Sequence, residues 1–453
     1  MFLWQLGITS LQSNDPMNQF MLNLQKPTSM VFITSLFGLS RVGFVSNHRG
    51  RLTTGPTMHR ILLLAFLLLL VGCEKQIDPL PSPPDGVIAI GTEANEMGSA
   101  ITNKIGGGYW AAIGVERSQG DWDATILELD DLGEVLREVG FQNEGESEAV
   151  RCLRLDAAGQ LLVASVVQSK GEAQVYFRLR ILNDNLQVVD RHEFGELALG
   201  EFGPYTGGSS HMEVFELPQG GWFVVVQQGY IQKAYRLDSG GALIAETNLS
   251  TENEYPNFPV HNLVQDSLGQ LYRLRVSNSY YVLNIEIQHL DQSGSPLSTQ
   301  PIQLDSAFLA DYYSVVEAAA LCFAPNGKMI ASIHRAEGLQ DVFAFNPQNG
   351  IIDWHRVLSF PEHLHLLAIG DTNNLLFAGH SARFGFDASL GSQDCTVGMI
   401  GTDGTNFRRR TIGGRGTEIL NGITPNPSGG MVAIGSSSSF GSGGFDAVLV
   451  FYP

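Results

Sequence analysis

The residues best equipped for chemistry gather in one stretch: His355, His363, His365 and His380, with Asp387 and Asp394 close by. Two histidines at i and i+2, such as His363 and His365, fall on one face of an uninterrupted strand, where neutral imidazoles can grip a metal. Here they are flanked by Glu362, Leu364 and Leu366 without a second paired motif. Polar loop residues are therefore the expectation, and no metal ligand is assigned. Asp121 and Asp123 around Trp122 offer carboxylates for Ca²⁺, but such a site needs about six to eight oxygens. A solvated, acidic hairpin tip is expected there instead. Nucleophilic catalysis lacks support, since the chain has no Gly-x-Ser-x-Gly elbow and no Ser/His/Asp set stands out. The run Ser436–Ser439 reads as a flexible loop. No catalytic or cofactor-binding residue is assigned, and no cofactor is expected.

Whatever chemistry exists must be positioned by the rest of the chain. Its 453 residues are 43% hydrophobic, enough for one large domain or two ordinary ones and too much for a disordered chain. Only 16% are charged, which excludes a long coiled coil. The net charge of −19 argues against a nucleic-acid partner.

From Gly86 to Pro453 short alternating or β-branched runs recur between Gly, Asn, Asp and Ser, a pattern of strands rather than helices. One unit appears seven times. It opens with a small turn and an apolar strand, as in Gly107-Gly108-Tyr109-Trp110-Ala111-Ala112-Ile113-Gly114 or Gly430-Met431-Val432-Ala433-Ile434-Gly435. The reference positions 108, 159, 221, 269, 327, 374 and 430 are spaced 51, 62, 48, 58, 47 and 56 apart, a period that suits propeller blades rather than a short-repeat solenoid. A second strand ends in an Asp or Asn turn with Gly close behind: Asp130/Gly133, Asp238/Gly241, Asp291/Gly294 and Asn346/Gly350. Such reversals need positive φ, which Gly supplies freely. A third strand follows, and a further strand precedes each Gly turn, for example Ala149 to Leu155. Four strands per unit make a blade.

The chain ends give an independent check. The last unit stops at Val448 to Pro453 without an outer strand, and an orphan apolar strand, 86–90, precedes the first unit. Placing residues 86–90 beside the last blade closes the ring and removes its open edge. The fold expected is thus an all-β, seven-bladed propeller over residues 86–453. The short unit from Gly221 and an insertion in the unit from Asn374 leave six or eight blades open.

The last unit, from Gly429 to Ala447, with its Phe445-Asp446-Ala447, resembles the propeller repeats of many secreted and lipid-anchored bacterial proteins, often from Bacteroidetes. Trp122-Asp123-Ala124 and Phe386-Asp387-Ala388 echo it. The resemblance implies architecture and transfers no site. The stretch Ala344 to Trp354 resembles the quinoprotein-type repeat Ala-x-Asp-x-x-Thr-Gly-x-x-x-Trp, with Asn346 and Asn349 replacing the Asp and Thr and a single copy present. That family uses the motif to pack blades, so Trp354 is expected to pack and pyrroloquinoline quinone is not expected.

Among the cysteines, Cys152 and Cys322 occupy the same strand in units two and five, far apart in a ring and beyond the Cα reach of about 7 Å that a disulfide allows. Cys395 sits in the insertion of unit six. All three are expected to be buried free thiols. Cys73 is different. Met58-His59-Arg60 precedes an apolar run from Ile61 to Val71, then Gly72 and Cys73, the layout of a secretory signal. The run is shorter than the ~20 residues of a membrane span. Leu70-Val71-Gly72-Cys73 resembles the lipobox of bacterial lipoproteins, which implies cleavage before Cys73 and acylation of its thiol and amino group. Two or more acyl chains hold a protein stably at a membrane. Residues 58–72 are therefore read as the signal, and 73–85, rich in Pro, as a semi-rigid tether. Translation is expected to begin at Met58, leaving 1–57 as a non-native extension; a long functional leader is the competing reading. Residues 73–453 carry 22 bases and 45 acids, a net −23, so the lipid and not a basic patch is the membrane contact.

These features imply a monomeric, lipid-anchored protein of the cell envelope, outer membrane in preference to inner, facing away from the cytoplasm. The expected role is a binding or scaffold module for a protein or glycan partner at a mouth where blade loops converge. Tyr280-Tyr281 and Tyr312-Tyr313 could stack on sugars, although blade packing explains them equally well. The alternatives are a hydrolase or lyase with its site at that mouth, and a structural subunit of an envelope assembly. Three or more convergent ionisable side chains in the central pocket would favour the enzyme, and an apolar or Gly/Ser-lined mouth the binding module.

Overall fold

A computed structural model describes residues 84–453, apart from 119, 143–144, 171, 173, 199–209, 229–230, 251–260, 280–281, 304–315, 336–338, 360–361, 371–373, 383–392 and 443. Cys73, the signal at 58–72, nearly all of the tether and the extension 1–57 therefore lie outside the described residues, as do Tyr280-Tyr281, Tyr312-Tyr313 and Phe386-Asp387-Ala388. Among the described residues no helix is long and apolar enough to cross a membrane.

The strands form seven four-stranded antiparallel sheets, each built from strands consecutive in sequence except the last. The innermost strands of blades 1 to 7 are Glu96–Asn103, Glu146–Leu155, Ser210–Glu216, Leu263–Gln265, Val316–Phe323, Glu362–Ile369 and Glu418–Pro425. The last blade takes its outer strand from the start of the ring: Val87–Ile90 pairs with Asp446–Tyr452, Val87 opposite Val450 and Ile90 opposite Ala447. The seven-bladed count and the closing strand expected at 86–90 are both as found.

Sequence dictates position within each blade. Second strands such as Tyr109–Ser118, Leu161–Ser169 and Met431–Ser437 are nearly continuous apolar runs and are buried along most of their length. They need apolar residues on both faces because each blade is covered on both sides by its neighbours. Outer strands such as Val135–Phe141 and Leu243–Asn248 are mostly exposed. Accordingly the core is divided into layers, one between each pair of adjacent blades. One joins Phe177 and Leu179 of blade 2 to Val224 and Tyr235 of blade 3. Another joins Val432 and Leu449 of blade 7 to Tyr109 and Ile113 of blade 1.

Polar contacts stitch the same seams. Asn421 of blade 7 donates from Nδ2 to the Gly98 carbonyl of blade 1 at 2.7 Å, and Arg154 of blade 2 donates to the Val214 carbonyl of blade 3 at 3.0 Å. Trp354 is a packing residue, as its motif implied. Its indole N–H donates to the Thr402 carbonyl of blade 6 at 2.8 Å, and its ring lies against Gly404. The Asp turns have a shared cause: Asp130 Oδ1 accepts from the amides of Leu132 and Glu134, and Asp291 Oδ1 from those of Ser293 and Ser295, closing each hairpin.

One irregularity bears on the channel. In blades 1, 2, 5, 6 and 7 the register between first and second strands slips, at Gly98/Ala100, Val150/Cys152, Val316/Ala319, Leu364/Leu366 and Leu420/Gly422. Such bulges bend a strand and re-aim its side chains. Blades 3 and 4 keep an unbroken register there.

The turn that opens each unit is tested at Gly429-Gly430. Both have positive φ, +101° and +73°, but only at Gly430 would a Cβ run into backbone, the Tyr452 carbonyl; around Gly429 there is open space. Left-handed backbone alone costs a non-Gly residue about 1–2 kcal/mol. Gly429→Ala should therefore lower stability by about that amount and Gly430→Ala by clearly more, measured as urea-unfolding midpoints.

Candidate functional site

The innermost strands of all seven blades line one central cavity of about 340 Å³, within the size range of small-molecule sites. Blade 1 contributes Ala100 and Ile101, blade 5 Leu321 and Cys322, and blade 6 Leu366 and Leu367. Against this apolar lining stand Arg151 and Arg154 of blade 2, His211 and Glu213 of blade 3, and His261, which leads into the inner strand of blade 4.

His211, Glu213 and His261 form a single cluster whose nitrogen and oxygen ligand atoms all lie within 4.8 Å of one another. The backbone explains it. His211 and Glu213 are two residues apart in a strand whose register is unbroken, opposite Gln227 and Val225, so both side chains leave the same face. His261 is pinned by blade 5: a parallel bridge pairs it with Ala320, and its carbonyl accepts from Leu321 N at 2.8 Å. His261 Nδ1 then sits 3.1 Å from Glu213 Oε1. His211 Nε2 lies 3.3 Å from the same oxygen, within ion-pair distance, but this buried nitrogen makes no hydrogen bond. The two imidazoles meet edge to face, centroids 3.8 Å apart at 64°. His211 is only 8% exposed.

The electrostatics follow from this packing. Burial opposes ionisation of Glu213, but the two imidazoles beside it outweigh that and hold its pKa at about 2. Burial and the neighbouring His211 push His261 down to about 4 against the pull of Glu213. At neutral pH the cluster thus presents a carboxylate beside a neutral His261. Arg154, donating to the Val214 carbonyl, also lies over the Phe215 ring at 4.9 Å.

The histidines singled out by sequence density are split between two blades. His355 lies on the outer strand of blade 5, Ile352–Ser359, with Nε2 2.9 Å from the buried Asp341 carboxylate. His363, His380 and Cys395 are backbone partners across blade 6, away from His355's strand. His363 and His365 lie in the strand Glu362–Ile369 rather than in a loop, and a register slip between Leu364 and Leu366 falls at His365 and interrupts the alternation on which an i, i+2 pair depends. Asp394 is buried, and Asp387 lies outside the described residues.

Three further expectations are corrected. Asp121 does stand at a hairpin tip, opposite Ser118, but Asp123 is not solvated: it is buried and ion-paired with Arg117. Ser436–Ser439 is not a flexible loop. Ser436 and Ser437 end a buried strand, Ser437 Oγ donates to Glu418 Oε1 at 3.0 Å, and Ser439 Oγ accepts from Gly416 N at 2.7 Å. Cys395 lies in the strand Gln393–Gly401, following the insertion rather than within it. Missed altogether were His211, Glu213 and His261. The signal existed: His211 and His261 stand ten and eight residues before Gly221 and Gly269, the glycines that open the next strands of adjacent units.

No family model matches the chain, and no curated protein does. Solved structures do resemble it. A protein of unknown function from Bacteroides caccae is 13% identical, covering 71% of this chain and 94% of its own, with a TM-score of 0.37. One from Dyadobacter fermentans is 12% identical over 82% and 100%, with a TM-score of 0.43. The β-propeller domain of the trilobed protease of Pyrococcus furiosus is 8% identical over 78% and 92%, with a TM-score of 0.45.

Cys152, Cys322 and Cys395 are free thiols, as expected, and the first two line the channel. Burial raises all three, Cys152 to about 11 even with Arg154 opposing it. At pH 8 Cys152 should carry roughly 200-fold less thiolate than a free cysteine. Iodoacetamide should therefore label it correspondingly slowly in the folded protein, about tenfold faster per pH unit up to pH ~11, and at the ordinary rate in urea. Peptide mass spectrometry follows the time course.

Proposed function

We propose that the protein is a lipid-anchored, extracytoplasmic β-propeller that binds a partner at the mouth of its central channel, taking one polar group of a protein or glycan into the cavity. The observation that carries this reading is the convergence of seven inner strands on one cavity of about 340 Å³, in which Arg151, Arg154, His211, Glu213 and His261 interrupt an apolar wall. A closed ring with an apolar plug would need none of them. The cavity suits a single sugar ring or side chain rather than a chain segment.

The same five groups exceed the three that would favour an enzyme, and this gives the hydrolase or lyase reading specific support. Against it stands the chemistry available to the protein alone. The channel thiols are held protonated, and Glu213 and His261 both titrate far below neutrality, a poor match for general acid–base work near pH 7. Binding is the better-supported role.

The address is read from Cys73 and the run Ile61–Val71 before it. Cys73→Ala should move the protein out of the membrane fraction and abolish incorporation of a labelled fatty acid; unchanged fractionation rejects the anchor. For the channel, Ile423 is a half-buried lining residue that also packs against the core between blades 6 and 7, so the fold of the Ile423→Trp variant is checked by circular dichroism first. Glycan and peptide arrays probed with wild type and Ile423→Trp should yield ligands that bind the variant at least about tenfold more weakly, a loss of about 1.4 kcal/mol. Ligands held equally by both would place binding elsewhere, and ligands converted to products would establish the enzyme.

A further inference from the structure

We infer that His211, Glu213 and His261 form a binding site for a divalent first-row transition metal, Zn²⁺ in the first instance, with a coordination position open to the central channel. The inference deepens the channel reading above, since it supplies the group that would hold the partner's polar end.

Geometry carries it. A tetrahedral centre with bonds of about 2.0–2.1 Å sets its ligand atoms about 3.3 Å apart. Glu213 Oε1 lies 3.1 Å from His261 Nδ1 and 3.3 Å from His211 Nε2, close to that spacing. A metal between the three would coordinate the buried His211 nitrogen, which makes no hydrogen bond of its own. The donor set is selective: two imidazoles and one carboxylate suit Zn²⁺ and its neighbours in the first transition row, whereas Ca²⁺ and Mg²⁺ prefer all-oxygen shells. Three protein ligands leave a position for water or a ligand oxygen, the arrangement of open rather than structural zinc sites.

The supports are also in place. His211 and Glu213 are fixed by the unbroken ladder of blade 3, and His261 by its backbone bonds to blade 5. Backbone bonds of blades 3 and 5 thus position the ligands, which limits the reorganisation that binding would demand.

The test uses full-length protein in detergent, stripped with a chelator and titrated with Zn²⁺ by calorimetry. Wild type should take up one equivalent, and Co²⁺ should give the intense visible bands of a tetrahedral site. Glu213→Gln, which preserves shape, and His261→Ala should each weaken binding by at least about tenfold, while His355→Ala should leave it unchanged. Circular dichroism identifies any variant that fails to fold, and Glu213→Asp, which keeps the charge, then serves as the second probe with a shifted Co²⁺ spectrum. Wild type that binds no Zn²⁺, or binding untouched by Glu213→Gln and His261→Ala, overturns the site. If array ligands still depend on the channel, only the metal site falls. If Zn²⁺ binds without any channel-dependent ligand, the metal site stands and the partner-binding reading falls.

Discussion

A sheet that is apolar on both faces is stable only between two neighbours, and every blade of this protein is such a sheet. The second strand of blade 7, Met431–Ser437, is buried at every residue because blade 6 covers one side and blade 1 the other. That requirement has no solution in an open row, whose end blades would expose a face each. It has one in a ring. Pairing of Val87–Ile90 with Asp446–Tyr452 fastens the ends, so a short strand far from any site secures the faces of blades 1 and 7 together. With seven separate layers and no single centre of packing, a local defect acts on one seam first and on the rest through loss of closure.

Closure also creates the channel, and with it an electrostatic problem. Seven inner strands crowd around the axis, and side chains there have few ways to reach bulk water. Most positions answer with apolar residues. Glu213 is instead matched by His211 and His261, which keep its charge tolerable inside the ring. A different solution appears at blade 2, where Arg178 is wholly buried among Glu146, Glu148, Glu193 and the Tyr176 hydroxyl. Its donors are satisfied from several sides, as a buried charge requires. The channel cluster lacks that completeness. One nitrogen is left over, which separates a site able to accept something from a network that is already full.

Much of the architecture was legible in sequence because the rules that build a blade are local. Positive φ at Gly133, Gly241 and Gly294, and the Asp side chains that cap those hairpins, are written in adjacent residues. Continuous apolar runs betray strands covered on both faces, and the orphan strand at 86–90 is conspicuous because every other unit already has four strands. The bulges were not legible. Arg151, His365 and Asn421 carry no local signature of a register slip. The misread Ser436–Ser439 has the same origin: a serine run looks like a loop unless Glu418 and the Gly416 amide are known to face it.

Sequence density is a poor guide to chemistry in a ring. His355, His363, His365 and His380 lie within 26 residues, yet His355 belongs to the outer strand of blade 5 and the others to the first two strands of blade 6. His211 and His261 lie 50 residues apart and meet edge to face. The reason is geometric. Neighbours within a blade run outward from the axis, so residues close in sequence are carried to different radii. Equivalent positions of successive units stand at the same radius, and near the axis that radius is small. The informative coordinate is therefore a residue's place within its repeat. Read that way, a histidine shortly before Gly221 and another shortly before Gly269 both fall near the axis in adjacent blades, and Glu213 shares a face with His211 because blade 3 keeps the register that five other blades give up.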